Sequence, residues 1–181
     1  ILASSSPRRR EILSQAGYNF RVIASCYDEK IQGLKYSSDL VTNCAYQKAL
    51  DVFKKNPDSL IIGADTVVVS NGEIIGKPQD EKDAGRILSS LSGNTHFVYT
   101  GFSVTDASNM YTASGFEVTQ VHFKDLSQQE IDDYISTGEP MDKAGAYGIQ
   151  GRAGIFVDEI KGDFFNVVGL PVCALNNLMI K

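Results

Sequence analysis

Apolar positions change their spacing several times along this chain, and the changes predict its elements. Ile1-Leu2-Ala3 reads as the end of a strand, and Ser4-Ser5-Ser6-Pro7 as a strand-to-helix turn. Ser6 is a good N-cap and Pro7 suits the first helical position. Ile12, Leu13 and Ala16 supply an apolar face, and Gly17 stops the helix. A second helix starts near Ser38 or Asp39. Its buried pattern is Leu40, Val41, Cys44, Ala45, Ala49, Val52 and Phe53, and Asn56-Pro57 ends it. Leu60 to Val69 reads as a buried strand interrupted at Gly63-Ala64-Asp65-Thr66. Asn71-Gly72 then marks a tight hairpin leading to Ile74-Ile75.

Pro78 and Asp80 announce a helix running through Leu91. Positions from His96 to Phe123 predict two long strands joined near Asp106 to Asn109, followed by a helix from about Ser127 to Ser136. The remainder is a glycine-rich segment over 143–154, short strands around 155–168, and a helix after Pro171. This order favours an α/β fold with a mixed sheet flanked by helices. No repeat, linker or low-complexity stretch divides the chain, so residues 1–181 are expected to form a single domain.

Composition narrows the function classes. A chain of 181 residues with 43% hydrophobic and 22% charged residues can bury a sizeable core and is not a disordered chain. The net charge of -5 argues against general nucleic-acid binding, although a local basic pocket can still hold an anion. Cys26, Cys44 and Cys173 show no CxxC spacing, and with two His they make poor zinc or disulfide material. Cys44 fits a small buried hydrophobe on its helix face. The sequence shows no secretory leader and no apolar run of membrane-spanning length, so a cytoplasmic location without membrane association is expected.

Candidate chemistry begins at the first helix. With Ser6 as N-cap, Arg8, Arg9 and Arg10 occupy the first turn, where cations oppose the helix dipole. An anion held among the arginine forks, serine hydroxyls and open helix amides would reverse that penalty. Neighbouring helical residues diverge by about 100 degrees, so the three cannot share one ligand, and Arg8 and Arg9 are the favoured pair. The plain alternative is a solvated basic turn near Glu11. Asp65 is the next anomaly, since a carboxylate inside an apolar strand needs a partner, hydrogen bonds or a metal. It reads either as a cap on a strand break or as a catalytic base or metal ligand, with the Thr66 hydroxyl beside it. Asp28-Glu29 could join it around Mg2+. Lys48 sits at the edge of an apolar helix face, where a surface lysine is the ordinary reading, and Lys77 lies in the constrained Gly76-Lys77-Pro78 turn. The segment from Thr137 to Gly151 has the glycines of a binding loop. In it Lys143 adds charge and the Gln150 amide could read a base edge. Its glycine spacing fits neither a P-loop nor a dinucleotide fingerprint.

At these residues the chain resembles the Maf family of nucleoside triphosphate pyrophosphatases. The resemblance runs through Leu2-Ala3-Ser4-Ser5-Ser6-Pro7-Arg8-Arg9, Asp28-Glu29, Lys48-Ala49, Gly63-Ala64-Asp65-Thr66-Val67-Val68, Gly76-Lys77-Pro78, Asp142 to Gly151 and Gly169-Leu170-Pro171. It implies a Maf/inosine-triphosphatase-like fold with a mixed twisted sheet and two lobes around a central cleft. It further implies cleavage of a nucleoside triphosphate to monophosphate and pyrophosphate, a divalent cation (Mg2+ or Mn2+), and a homodimer. Arg8, Arg9, Lys77 and Gln150 resemble the branch acting on dTTP and UTP. The implied roles put Asp65, Glu29, Lys48 and Lys77 in catalysis, with Glu29 and Asp65 as metal ligands. Ser6, Arg8, Arg9, Thr66, Lys143 and Gln150 would bind substrate. A nucleotide-binding regulator of cell division or septum formation would use the same basic turn without releasing pyrophosphate, and a phosphatase would release orthophosphate.

Overall fold

A computed structural model describes residues 1–27, 36–106 and 111–180. Among them the chain runs α1 (Pro7–Gln15), α2 (Ser38–Phe53), β1 (Ile61–Ser70), β2 (Glu73–Ile75), α3 (Glu81–Leu91), β3 (Thr95–Asp106), β4 (Tyr111–Phe123) and α4 (Gln128–Ile135). Three short 3-10 turns follow, and β5 (Val157–Lys161), α5 (Phe164–Val168) and α6 (Val172–Met179) complete it. Five strands form one sheet in the order β2-β1-β3-β4-β5, every neighbouring pair antiparallel. Its mixed character comes from Leu2, which bridges Val22 and Ile62 in parallel.

Two parts of the sequence reading are corrected. β1 is continuous from Ile61 to Ser70, because Gly63, Ala64 and Asp65 pair in unbroken register with Ser103, Phe102 and Gly101. The glycine serves close packing, since a Cβ on Gly63 would collide with the Ala45 carbonyl of α2. The region after β5 is helical, not stranded. Asp163 caps α5 by accepting from the Phe165 amide, and Gly162 turns the chain at φ 131°. The end of a strand read at Ile1-Leu2-Ala3 survives only as the isolated bridges at Leu2.

Strand periodicity sorts the core. One face of β1 presents Ile62 and Ala64 to a cluster with Ile12, Leu13, Phe102 and Leu175. Further along the same face, Val68 joins a cluster with Leu88, Val98, Phe123 and Tyr147. Between the two clusters lies a polar row: Thr66 pairs with Thr100 on β3, and their hydroxyls are 2.9 Å apart. On the opposite face α2 packs on Ile61 at one end and Val67 and Val69 at the other, with Asp65 between them. A polar position thus divides the apolar pattern on both faces of β1 at the same level. No helix among the described residues is long and apolar enough to cross a membrane.

Candidate active site

The polar level of β1 coincides with a gap in its outer edge. At one end the Ala3 amide donates to the Ile62 carbonyl and the Ile62 amide to that of Ile1. At the other end β2 pairs with Val68 to Ser70. Among the described residues no strand covers the edge at Ala64 to Val67, and a cleft of about 410 Å³ opens there. That volume falls within the range of small-molecule sites, roughly 300–1,000 Å³.

Asp65 stands at this gap on the α2 face, with its side chain 4% exposed. Lys48 reaches it from α2: Nζ lies 2.8 Å from Asp65 Oδ1 and 3.4 Å from the Ala64 carbonyl. The lysine side chain is only 12% exposed, so the surface reading of Lys48 is corrected. Glycine makes this reach possible. A Cβ at Gly101, the β3 partner of Asp65, would collide with the Val41 carbonyl, just as one at Gly63 would strike α2 lower down.

The arginines of α1 diverge as their helical spacing requires. Arg8 is half-buried at the cleft, Arg9 is buried, and Arg10 is exposed. Ser6 caps the helix by accepting from the Arg9 amide. The Arg9 guanidinium donates through Nε to the Gly169 carbonyl at 2.8 Å, through Nη1 to Ser4 Oγ at 3.0 Å, and through Nη2 to Thr66 Oγ1 at 3.0 Å. It therefore ties the serine turn, β1 and the α5–α6 connection into one wall. Behind it, Thr100 donates to the Asn166 carbonyl, and the buried Asn166 amide donates to the Val98 carbonyl and Thr119 Oγ1.

Lys77 also lines the cleft and is exposed. Its turn is joined to the glycine-rich segment by the Gly145 amide, which donates to the Gly76 carbonyl at 3.0 Å. Lys143 Nζ donates to Asp142 Oδ1 at 2.7 Å and to the Glu139 carbonyl at 2.6 Å. Burial alone would raise the Asp142 carboxyl, but the Lys143 hydrogen bond and the charges of Lys143 and Arg8 hold it below its usual value. Gln150 is exposed at the rim.

One cleft thus gathers Ser6, Arg8, Arg9, Lys48, Asp65, Thr66, Lys77, Lys143 and Gln150. Glu29 lies outside the described residues, although Ser25 and Tyr27 just before it reach the cleft. Among the described lining residues, five basic side chains face two carboxylates, in a molecule of net charge -5. Sequence reasoning missed the Gly169 carbonyl, Asn166 and the Tyr134–Glu139 pair behind the glycine-rich segment. A buried Asn within the apolar 164–168 run was the available signal for one of these.

A five-stranded sheet packed with helices, with a basic cleft beside β1, defines an α/β protein. The family model described as Maf-like protein matches residues 1–181, and the chain belongs to that family. It is 52% identical over 182 residues to a dTTP/UTP pyrophosphatase of Alkaliphilus metalliredigens, covering 100% of this chain and 94% of the relative. Proteins of the same name from Dictyoglomus thermophilum and Bacillus cereus are each 47% identical to it. Those matches cover 99% and 97% of this chain and 93% and 91% of the relatives.

Proposed function

We propose that this chain hydrolyses nucleoside triphosphates between the α and β phosphates, with dTTP and UTP as preferred substrates. Family membership and the names of its relatives support pyrophosphatase activity as a class. The observation that carries the reading is the Lys48–Asp65 pair at an open strand edge, facing Arg8 and Lys77 across one cleft.

In this reading Arg8, Lys48 and Lys77 neutralise the triphosphate, and Ser6 and Thr66 orient phosphate or water. Arg9 fixes the wall from which they act. The oxygen of a water attacks the α phosphorus, the bond to the α–β bridging oxygen breaks, and the Asp65 carboxylate accepts the water proton. Pyrophosphate leaves against the basic walls, which stabilise the charge that develops on it. Lys143 and Gln150 contact the nucleotide.

Mg2+ or Mn2+ fits this donor set. Such hard cations take one or two carboxylates and complete their shell with phosphate and water oxygens. The absence of a group of three or more His, Cys, Asp or Glu among the described residues is therefore no obstacle. Asp65 presents a carboxylate at the cleft, and Asp65 with Glu29 would hold the ion. When bound, it polarises the phosphoryl oxygens as a Lewis acid.

The test is a product-resolved assay on dTTP, UTP, CTP, GTP and 7-methyl-GTP with each metal. Preferential conversion of dTTP or UTP to monophosphate and pyrophosphate supports the reading. Orthophosphate as the product, or binding without turnover, overturns it in favour of a phosphatase or a nucleotide-binding regulator.

A further inference from the structure

Glu139 opens the first 3-10 turn (Glu139–Asp142), directly after Gly138 in a left-handed conformation at φ 72°. Neither it nor Tyr134 lines the cleft; both sit behind the segment that carries Tyr147 to Gln150. Yet the Glu139 carboxylate grips both ends of that segment. Its Oε2 accepts from the Arg152 amide at 3.2 Å. Its Oε1 accepts from the Tyr134 hydroxyl at 3.1 Å, and that hydroxyl in turn accepts from the Gly148 amide at 3.3 Å. The segment closes on itself where the Gly151 amide donates to the Gly148 carbonyl at 2.9 Å.

The glycines on this turn make room for the carboxylate and for Lys143. A Cβ on Gly151 would collide with Glu139 Oε1, and one on Gly148 would stand 2.6 Å from Lys143 Cε. Lys143 itself donates to the Glu139 carbonyl. One residue therefore fixes the turn under Gln150 and the lysine beside it. Burial and the Glu139 charge raise the Tyr134 phenol well above its ordinary range, so it remains a donor throughout the neutral range.

We propose that Glu139 is the positioning residue for the Tyr147–Gly151 turn, and that discrimination between nucleobases at Gln150 depends on it. The proposal rests on the reading of Gln150 as the residue that contacts the base. Both Glu139 oxygens accept hydrogen bonds, a pattern that a carboxylate meets at both atoms. A glutamine keeps the shape but turns an NH2 group toward one of the two donors. Misplacing the turn by a fraction of an ångström weakens the base contact while the phosphate-binding groups stay where they are.

Wild type, Glu139→Gln, Tyr134→Phe and Gln150→Ala are compared for kcat and KM on UTP and CTP. Thermal stability and amide hydrogen exchange at Gly148 and Arg152 are measured alongside. The expected result is a fall of about tenfold in the UTP-to-CTP ratio of kcat/KM for Glu139→Gln. KM for UTP should carry most of the change, with faster exchange at both amides. Tyr134→Phe should shift the ratio in the same direction, because its hydroxyl relays Glu139 to Gly148, and it carries the test if Glu139→Gln does not fold. If Gln150→Ala lowers the ratio but neither Glu139→Gln nor Tyr134→Phe does, positioning by Glu139 is overturned and base reading by Gln150 stands. A lowered melting temperature with an unchanged ratio is the same outcome, that of a merely structural residue. If wild type shows no preference, or Gln150→Ala leaves the preference intact, the base-contact reading is overturned and this proposal with it.

Discussion

Lys48 of α2 and Asp65 of β1 meet at 2.8 Å where no strand among the described residues covers the β1 edge, each side chain at most 12% exposed. Removing one partner from such a buried pair costs about 3 kcal/mol or more, because the remaining buried charge has lost this counterpart. Lys48→Met should therefore unfold at lower denaturant concentration and lose turnover. Asp65→Asn keeps the volume but not the proton acceptor. Turnover should fall on the order of 10²–10⁴-fold with the circular dichroism spectrum unchanged. Near-normal turnover by folded Asp65→Asn would remove Asp65 from the chemistry.

The pair can form because α2 lies close against the sheet, and two glycines permit that approach. Gly63→Ala or Gly101→Ala drives a methyl into the Ala45 or Val41 carbonyl. Overpacking of this kind costs about 1–3 kcal/mol. Each variant should be destabilised by that amount in urea titration. Each should also lose activity beyond what its unfolded fraction explains, because the helix that moves carries Lys48. Gly85→Ala on α3 is the control: its Cβ meets only the end of Ile135 at an ordinary 3.5 Å, and in a helix interior it should stabilise by about 0.5–1 kcal/mol.

What was legible in the sequence followed from local chemistry. Ser6-Pro7 sets the start of α1, Asp80 caps α3, and Asn71-Gly72 turns β1 into β2 because Asn71 and Gly72 both adopt positive φ, 53° and 80°. Asp65 stood out because one carboxylate broke an apolar run. Long-range partners were hidden. Lys48 looked like a surface residue on its helix, and only the register of α2 over β1 buries it. Gly63 of β1 looked like an interruption because its neighbour, Ala45, lies some 18 residues earlier in the chain. α5 is five residues long, too short for helical periodicity to separate it from a strand.

Arg8 and Arg9 are adjacent in sequence but differ in what surrounds them. Arg9 spends its planar fork on Gly169, Ser4 and Thr66, a geometry that an ammonium group does not reproduce. Arg9→Lys should lower the melting temperature and depress kcat, because the wall holding Thr66 loosens. Arg8 is half-buried at the cleft, where the proposed function has it neutralise phosphate charge. Arg8→Lys should retain stability and raise KM several-fold. Steady-state kinetics with thermal melts separates the two, and identical behaviour of both variants would contradict the division.

His96 predicts a pH dependence that the cleft does not control. It is fully buried on β3 and shares a 2.8 Å hydrogen bond with the Tyr147 hydroxyl. Phe123 and Tyr147 pack edge-on against its ring. Burial, and to a lesser extent the charge of His122, lower its pKa from 6.5 to about 4. Below pH 6.5 the unfolded chain binds a proton at this residue that the folded chain refuses. Stability from the neutral ring is therefore complete above about pH 6.5 and falls as pH drops toward 4, by about 3 kcal/mol in all. His96→Gln removes this titration. Its urea midpoint should be lower than that of wild type at pH 7.5 and should vary less between pH 6.5 and 4. Parallel pH profiles for the two proteins would show that His96 does not bear the linkage. Because Tyr147 adjoins the turn that carries Gln150, protonation of His96 in the folded chain, which sets in only as pH approaches about 4, should also weaken nucleotide binding, and a binding titration at pH 6 and pH 4 on wild type and His96→Gln reads that effect.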